Sequence, residues 1–340
     1  MNGRLDVYLD RNDLSTMSHR HYVDRLASEY DDRPDVRTVQ TISKADVVHL
    51  NYLNPFGRVR HAKESLVRHF CDLVESVSRI SKPVVLTEHG ALQFSQRLDP
   101  RLAEYPELGE PGFPDKIKVA AQKLLANVAD AIIAVSDWVA KALQHGGISA
   151  SKVHTVHHGV SETFEDREAT AEDPFVFHLS KYSEQKNPRT ILEVGRNLSV
   201  PLIVAGRRWD KNITDPPDGV EVRGYVSDEE LLSLYNRASV FFFPSLYESF
   251  GLPIVESMAC GTPVVGSNCG SVPEVIGEGG MTREPFDTAG FVDALERFVI
   301  EPEYRREYER RAVSRAEKFS WAATAEETIE TYERAIERET

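Results

Sequence analysis

The stretch VFFFPSLYESFGLPIVESMACGTPVVGS, residues 240–267, puts a tight corner between two apolar runs. The first run, VFFFPS, and the last, TPVVGS, show no polar alternation, which is typical of strands buried on both faces of a parallel sheet. Pro253 suits the first turn of a short helix, and Gly261 suits its end. The stretch therefore predicts a strand, a loop, a short helix and a second parallel strand.

Two glutamates flank the corner of this stretch. Glu248 falls on the loop after the strand, and Glu256 falls in the early part of the helix. Ligands of open parallel sheets bind at the carboxyl ends of the strands, beside helix N-termini. Carboxylates accept hydrogen bonds from sugar hydroxyls, whereas the backbone N–H groups of Phe250, Gly251 and Leu252 favour negative charge. The corner therefore favours a polyhydroxylated anion as its ligand.

Strand-like and helical segments alternate along the chain. Strands are predicted at 5–9, 36–40, 46–52, 83–89, 131–136 and 152–158, and again at 175–180, 201–206, 220–226, 240–245 and 262–267. Helices are predicted at 17–30, 61–80, 115–128, 137–145, 188–198, 228–237, 253–260, 288–300, 302–317 and 321–338. This alternation predicts parallel sheets with helices on both faces. The expected fold class is α/β, with two doubly wound parallel-sheet domains that face a central cleft.

The polar, strand-free segment before the second set of strands marks a domain boundary. We expect an N-terminal domain over 1–160, a linker over 161–174 and a C-terminal domain over 175–319. The length of 340 residues agrees with two domains, since one hydrophobic core seldom serves so long a chain.

Composition and charge exclude several classes of protein. Apolar residues make up 41% of the chain, and no run reaches the ~18 residues that a membrane span requires. Residues 166–340 carry 20 basic and 32 acidic side chains, a balance of -12. Nucleic acid is therefore not expected as a partner, because it binds to basic surfaces. The three cysteines, Cys71, Cys260 and Cys269, have no metal-site spacing and indicate reduced thiols in a cytosol.

Glycine signatures of other nucleotide-binding proteins are missing from the expected places. No glycine directly follows the first predicted strand, and the nearest pattern, GEGGMT at 277–282, lacks the third glycine. No P-loop pattern occurs, and no D-x-D triplet follows a strand. A dehydrogenase, a P-loop nucleotidase and a metal-bridged donor site are therefore not expected.

The block PSLYESFGLPIVESMACGTPVVGSNCGSVPEVI, residues 244–276, resembles the signature of the retaining glycosyltransferases of family 4, which have the GT-B fold. The resemblance implies that Glu248 contacts hydroxyls of the donor sugar and that Glu256 contacts the ribose diol. It also implies that the backbone of Phe250–Leu252 touches the sugar and the diphosphate.

Other loops resemble further parts of that family. LSKYSEQKNP stands where the family has a basic pair, which implies that Lys181 and Lys186 neutralise the leaving diphosphate. Ser180 and Lys181 stand where Gly-Arg is usual, and lysine keeps the charge but lacks the bidentate fork. Ser180 is counted with the donor-binding residues, as is Tyr225 in RGYVSDEEL, which borders the implied base pocket. His89, at the end of a predicted strand, resembles the family's histidine near the reacting centre.

The resemblance implies a retaining hexosyltransferase that needs no metal and no cofactor apart from its nucleotide-diphospho sugar donor. The acceptor is expected to be a glycan, a lipid-linked molecule or a small molecule. A non-catalytic nucleotide-sugar-binding subunit, or an epimerase or phosphorylase on the same scaffold, stays open. Many members have a Gly-Gly loop after the first strand, and DRNDLSTMSHRHY replaces it here, so no acceptor contact is carried over to this loop.

Two further segments bear on packing and location. The last helix of the family commonly returns to the first domain, so residues 320–340 are expected to pack on the N-terminal domain. The stretch at 58–80 is basic at its start and amphipathic. It is expected to be an outer helix, with peripheral contact to an anionic membrane as the alternative. The expected location is the cytoplasm, or the inner face of its membrane.

Overall fold

A computed structural model describes residues 4–11, 17–51, 75–90, 123–167 and 173–338 of the chain. The chain divides into two compact units: unit 1 holds Met1–Gly159 with Trp321–Thr340, and unit 2 holds Val160–Ser320. Each unit contains a parallel six-stranded sheet, so the expected α/β fold class is confirmed. The segment at 161–174, expected as a linker, is grouped with unit 2.

The strands carry the labels β1 to β12 in chain order. Those of unit 1 are β1 Leu5–Leu9, β2 Val36–Thr38, β3 Val47–Leu50, β4 Val84–Glu88, β5 Ala131–Ala134 and β6 Val153–Thr155. Those of unit 2 are β7 Val176–Leu179, β8 Leu202–Ala205, β9 Val220–Val222, β10 Val240–Phe243, β11 Val264–Ser267 and β12 Gly280–Arg283.

The α-helices are labelled in the same way. They are α1 Met17–Asp31, α2 Asp137–His145, α3 Pro188–Asn197, α4 Trp209–Asn212, α5 Asp228–Arg237, α6 Leu252–Ala259, α7 Val272–Ile276, α8 Thr288–Ile300, α9 Pro302–Ala316 and α10 Trp321–Glu337. Short helical stretches at 75–78 and 123–128 belong to two predicted helices, whose earlier residues, 61–74 and 115–122, lie outside the described ranges. Of the described helices, none is long and apolar enough to span a lipid bilayer.

Unit 2 is doubly wound about its central strands β7 and β10. Its strand order is β12-β11-β10-β7-β8-β9, and neighbouring strands run parallel. The chain starts at β7, moves outward to β9 and returns to β10 on the other side of β7. Phe241 of β10 pairs with Phe177 of β7. The loops that leave these two strands therefore diverge at the carboxyl edge of the sheet, where such sheets bind ligands.

Strand β10 shows why this unit folds as the sequence predicts. Its four residues are fully buried, as expected for an apolar run without alternation. Phe242 packs on Phe291 of α8, with 5.0 Å between the ring centroids. Phe241 faces the other side of the sheet and packs on Tyr235 of α5. The strand that precedes Glu248 is thus held by aromatic contacts on both faces.

Unit 1 has the strand order β2-β1-β3-β4-β5-β6. Strands β2 and β3 therefore lie on opposite sides of β1 and run parallel to it. Residues 12–16 of the DRNDLSTMSHRHY segment after β1, and residues 52–74 after β3, lie outside the described residues. Helix α10 belongs to the core of this unit, where Tyr332 is fully buried. The hydroxyl of Tyr30, on α1, donates a 2.9 Å hydrogen bond to that of Tyr332. The last helix therefore completes the first sheet's helical layer.

One strand and two short α-helices of unit 2 are not predicted by the sequence. They are strand β12 and helices α4 and α7. Strand β12 lies at the edge of the sheet, and its four residues are only partly buried. It has no continuous apolar run, because an edge strand with half-buried residues does not require one.

Candidate active site

The loops after β7 and β10 are joined at the carboxyl edge of the sheet in unit 2. Gln185 donates a side-chain hydrogen bond of 2.7 Å to the backbone oxygen of Tyr247. The backbone N–H of Leu246 donates in turn to the oxygen of Gln185, at 2.9 Å. Two loops that are 60 residues apart in sequence are therefore fixed to each other beside the central strand pair.

This junction brings Lys186 and Glu248 into direct contact. The Nζ of Lys186 donates to Oε1 of Glu248, and the two form an ion pair. The side chains are 17% and 11% exposed, so the pair is largely screened from water. The same ammonium lies 5.2 Å from the centroid of the Phe243 ring. Two of the residues expected to contact the donor therefore form an ion pair at the carboxyl edge of the sheet.

Helix α6 starts at Leu252, four residues after Glu248, and presents its N-terminus at this edge. Gly251 has a φ of +94°, a left-handed conformation that favours glycine, and Leu252 opens the helix. The side chain of Phe250 is buried, whereas Leu252 is half-buried. The hydroxyl of Ser271 donates to the backbone oxygens of Glu248 and Phe250, at 3.1 and 2.9 Å. The corner is thus held in shape by backbone contacts that leave the carboxylate of Glu248 to Lys186.

Glu256 has a different partner. Its Oε2 accepts a hydrogen bond of 3.0 Å from the hydroxyl of Tyr235, on helix α5. Burial raises the pKa of the Glu256 carboxyl group to about 7, and the bond from Tyr235 acts in the opposite direction. This acid is therefore part carboxylate and part carboxylic acid at neutral pH.

A buried network lies at the root of the loop after β7. His178 Nδ1 lies 2.8 Å from the backbone oxygen of Phe242, so this nitrogen carries the proton. Its Nε2 then accepts from the hydroxyl of Ser180, at 2.8 Å. Trp209 Nε1 donates to the backbone oxygen of Ser180, at 2.9 Å. Burial lowers the pKa of His178 to about 3, which keeps the ring neutral. The Ser180 hydroxyl is directed into this network, and its expected donor contact stays a prediction.

Three other predicted residues are not members of the ion pair. Lys181 is exposed and forms no ion pair within the described ranges. Tyr225, after β9, is 78% exposed. His89 belongs to unit 1, where its ring stacks on His158 with 5.3 Å between the centroids and an interplanar angle of 4°. Its convergence with the residues of unit 2 stays a prediction.

Two family models match consecutive parts of the chain. The model of glycosyltransferase family 4 matches residues 19–164, and the model of glycosyl transferases group 1 matches residues 160–315. Between them they span residues 19–315, which include nearly all of unit 2 and most of unit 1, but not the C-terminal helix α10. The chain belongs to the group 1 glycosyl transferases of family 4. The resemblance seen in the sequence is confirmed.

Known proteins similar to this family 4 member include curated and solved examples. The serotype-specific mannosyltransferase WbdA of Escherichia coli is 28% identical over 269 residues, 71% of this chain but 33% of that protein. An MMP α-(1→4)-mannosyltransferase of Mycolicibacterium hassiacum is 32% identical over 65% of this chain and 58% of its own length. The chain thus spans about a third of WbdA and less than two thirds of the mycobacterial enzyme.

Solved structures give the fold of this family 4 member. HepE from Anabaena, in complex with UDP and glucose, has a TM-score of 0.70 and 16% identity, and the match covers 96% of this chain and 99% of that one. At this level of identity the likeness concerns the fold alone, and it agrees with the expected GT-B architecture of two parallel sheets.

Sequence reasoning missed the residues that support this site. Tyr235, His178 and Trp209 were not singled out, although each contacts a predicted residue directly. Tyr235 and Trp209 are fully buried and read in the sequence as ordinary core aromatics. The available signal was the polar atom on each ring, because a buried hydroxyl or indole N–H requires a partner.

Proposed function

We propose that the protein is a retaining glycosyltransferase. It moves a sugar from a nucleotide-diphospho sugar to a glycan, a lipid-linked molecule or a small-molecule acceptor. The observation that carries the proposal is the contact between Lys186 and Glu248 beside the N-terminus of α6, at the carboxyl ends of β7 and β10. Membership of family 4 and the mannosyltransferases among its relatives support a hexose as the transferred sugar.

The groups at this edge match the parts of such a donor. The Glu248 carboxylate accepts hydrogen bonds from sugar hydroxyls, and the Glu256 carboxylate accepts them from the ribose diol. Lys186 and the first N–H groups of α6 offer positive potential to the diphosphate. Tyr225 offers an exposed aromatic ring for the base, two strands away from the ion pair. Lys181 is free to turn toward the phosphates because the loop leaves it exposed.

The proposed reaction exchanges one bond at the anomeric carbon for another. The bond from this carbon to the diphosphate oxygen breaks, and the negative charge that develops on the diphosphate is stabilised by Lys186 and Lys181. The acceptor oxygen then bonds to the same face of the sugar. Its proton passes to the departing diphosphate oxygen, so no separate carboxylate base is needed. His89 is proposed to lie near the reacting carbon, and no metal ion or further cofactor takes part.

A panel of donors tests the function. GDP-, UDP- and ADP-sugars are screened for a rise in melting temperature, for slow donor hydrolysis and for transfer to added acceptors, with and without EDTA. We expect the protein to bind donors of one of the three bases and to release the sugar from them both with and without EDTA. Glu248→Gln should lower turnover by at least about a hundredfold, because it removes the negative charge beside the sugar, which becomes electron-poor in the transition state. Binding without any hydrolysis or transfer would instead indicate a non-catalytic subunit, and unchanged turnover in the variant would refute the site.

Contact with a membrane is a further part of the proposal. The basic, amphipathic stretch at 58–80 supports it, although residues 58–74 lie outside the described ranges. The cytoplasmic side is the proposed location, since nucleotide sugars and anionic lipids meet there. Sedimentation with vesicles that contain anionic phosphatidylserine tests this contact. Equal sedimentation with neutral vesicles would contradict it.

A further inference from the structure

The ion pair joins two groups that the proposed reaction uses for different parts of the donor. Under the proposed function, on which this inference rests, Glu248 meets the sugar hydroxyls and Lys186 meets the diphosphate. In the structure the carboxylate itself accepts the hydrogen bond of the ammonium. An arriving diphosphate must therefore share or replace Glu248 as the partner of Lys186.

Both partners of the ion pair stand on loops that are held by contacts of their own. Lys186 ends a short 3-10 turn, and the next residue, Asn187, donates to the backbone oxygen of Pro285 at 2.7 Å. The backbone of Glu248 is held by Ser271. Since both charged side chains are more than four-fifths buried, water solvates a separated charge only in part. Each charge is therefore better satisfied by its partner than alone.

The ion pair should respond differently to the intact donor and to the nucleoside diphosphate product. Sugar hydroxyls can donate hydrogen bonds to the Glu248 carboxylate, which reduces its need for the ammonium. A nucleoside diphosphate lacks the transferred sugar, and the hydroxyls of its ribose are assigned to Glu256, so it brings no such donors to Glu248. The intact donor can therefore satisfy both members of the pair, whereas the product satisfies only Lys186 and leaves the carboxylate without a cation.

We propose that Glu248 sets the affinity of the site for nucleoside diphosphate by competing for Lys186. The sugar of an intact donor occupies Glu248 and releases Lys186 to the diphosphate. Once the sugar has been transferred, Glu248 regains the ammonium and the diphosphate loses a charge partner. The pair thus discriminates donor from product and accelerates product release.

The affinity of Glu248→Gln for nucleoside diphosphates tests the proposal. Glutamine keeps the shape of the side chain and removes the charge that competes for Lys186. Titration calorimetry is run with GDP, UDP and ADP and with GDP-mannose, UDP-glucose and ADP-glucose. We expect the diphosphate that the wild type binds to bind about five- to tenfold more tightly to the variant, a typical coupling between linked sites. We expect the ratio of donor affinity to diphosphate affinity to fall. An unchanged or weaker diphosphate affinity overturns the proposal.

Glu256→Gln is the matched control. It makes the same chemical change eight residues further on, at an acid whose partner is the hydroxyl of Tyr235 instead of a lysine. It should not tighten the binding of any diphosphate. The double variant Glu248→Gln with Lys186→Gln is compared with Lys186→Gln alone. The gain in diphosphate affinity from Glu248→Gln should vanish when the lysine is absent. A gain that persists without Lys186, or that Glu256→Gln also shows, overturns the proposal.

The outcomes separate this inference from the proposed function. If the wild type binds none of the three diphosphates, the proposed function is wrong and the inference falls with it. If the wild type binds one of them and Glu248→Gln shows no gain, only the inference is wrong. Should Glu248→Gln fail to fold, as judged by circular dichroism, Glu248→Asp replaces it. Aspartate withdraws the carboxylate by one methylene and should tighten binding by about two- to threefold, a small coupling.

Discussion

At the scale of single residues, we expect Glu256 to make the proposed donor binding depend on pH. Burial raises the pKa of its carboxyl group to about 7, so the carboxylate fraction increases as the pH rises through neutrality. The carboxylate accepts hydrogen bonds from a ribose diol at both oxygens, whereas the acid form gives up one of them to its proton. We therefore expect nucleoside diphosphate affinity to increase by up to about tenfold between about pH 6 and about pH 8, as one pKa unit would give. Calorimetric titrations at stepped pH measure this change.

Tyr235 sets the midpoint of that pH dependence. Its hydroxyl stabilises the charged form of Glu256 by donating a hydrogen bond to it, so loss of the bond raises the pKa of the acid. In Tyr235→Phe the midpoint should move to higher pH, while the buried ring keeps its packing. Glu256→Gln is the control and should show no midpoint in this range. A midpoint at or below that of the wild type in Tyr235→Phe would show that the tyrosine does not tune the acid.

The residues of the site differ in how far the sequence predicts them. Glu248 and Glu256 belong to a local pattern, so their places on a loop and a helix follow from nearby residues. Their partners do not, because Lys186 and Tyr235 lie 62 and 21 positions away. Those contacts depend on which strands are neighbours and on how α5 packs, and the order of strands in a sheet is not encoded by the spacing of glutamates.

At the scale of elements, the loops after β7 and β8 meet backbone to backbone. Gly206 has a φ of +121°, and a Cβ added there would lie 2.1 Å from the backbone oxygen of Ser180. Gly206→Ala should therefore cost about 3–5 kcal/mol in the free energy of unfolding, as severe substitutions do. Gly219→Ala is the control, since φ is +82° there and the nearest atom is 3.0 Å away. It should cost about 1–2 kcal/mol, the usual penalty of the left-handed region.

Urea denaturation of the two glycine variants measures the difference. Both residues lie in unit 2, so the same unfolding step reports on each. A larger loss for Gly206→Ala shows that the close approach of the two loops, and not backbone conformation alone, requires glycine. Equal losses would mean that the loop after β7 shifts to make room for the added methyl group.

The elements that the sequence predicts best are the buried ones. Strand β10 was predictable because its four apolar residues are buried on both faces. Edge strand β12 was not, since it is defined by four register pairs with β11 and not by its own side chains. Local patterns thus encode buried strands well, whereas an edge strand depends on a neighbour distant in the sequence.

At the scale of the whole molecule, the chain crosses between two units at Gly159–Val160 and at Ser320–Trp321. The second crossing returns α10 to the core of unit 1. Amphipathic spacing alone predicts a helix over 321–338 but not the unit on which it packs. The family resemblance supplied that expectation, and the buried contact between Tyr332 and Tyr30 shows what α10 contributes to the unit.

Each unit has its own core, so damage to one core should stay within that unit. Tyr332, in unit 1, and Phe298, in unit 2, are both fully buried. Truncation of either to alanine should cost about 3–5 kcal/mol, the usual loss for a buried aromatic ring. Tyr332→Ala also leaves Tyr30 without its partner. Hydrogen exchange followed by mass spectrometry locates the effect, and we expect faster exchange in β1 to β6 for Tyr332→Ala and in β7 to β12 for Phe298→Ala.

The pattern of exchange decides whether α10 acts as a structural part of unit 1. Faster exchange confined to unit 1 in Tyr332→Ala means that the last 20 residues of the chain are needed to stabilise its first sheet. Unit 2 should then still bind nucleoside diphosphate, because Lys186, Glu248 and Glu256 all lie within it. Equal acceleration in both units would show that the units unfold as one, and the diphosphate site would then depend on the C-terminal helix as well.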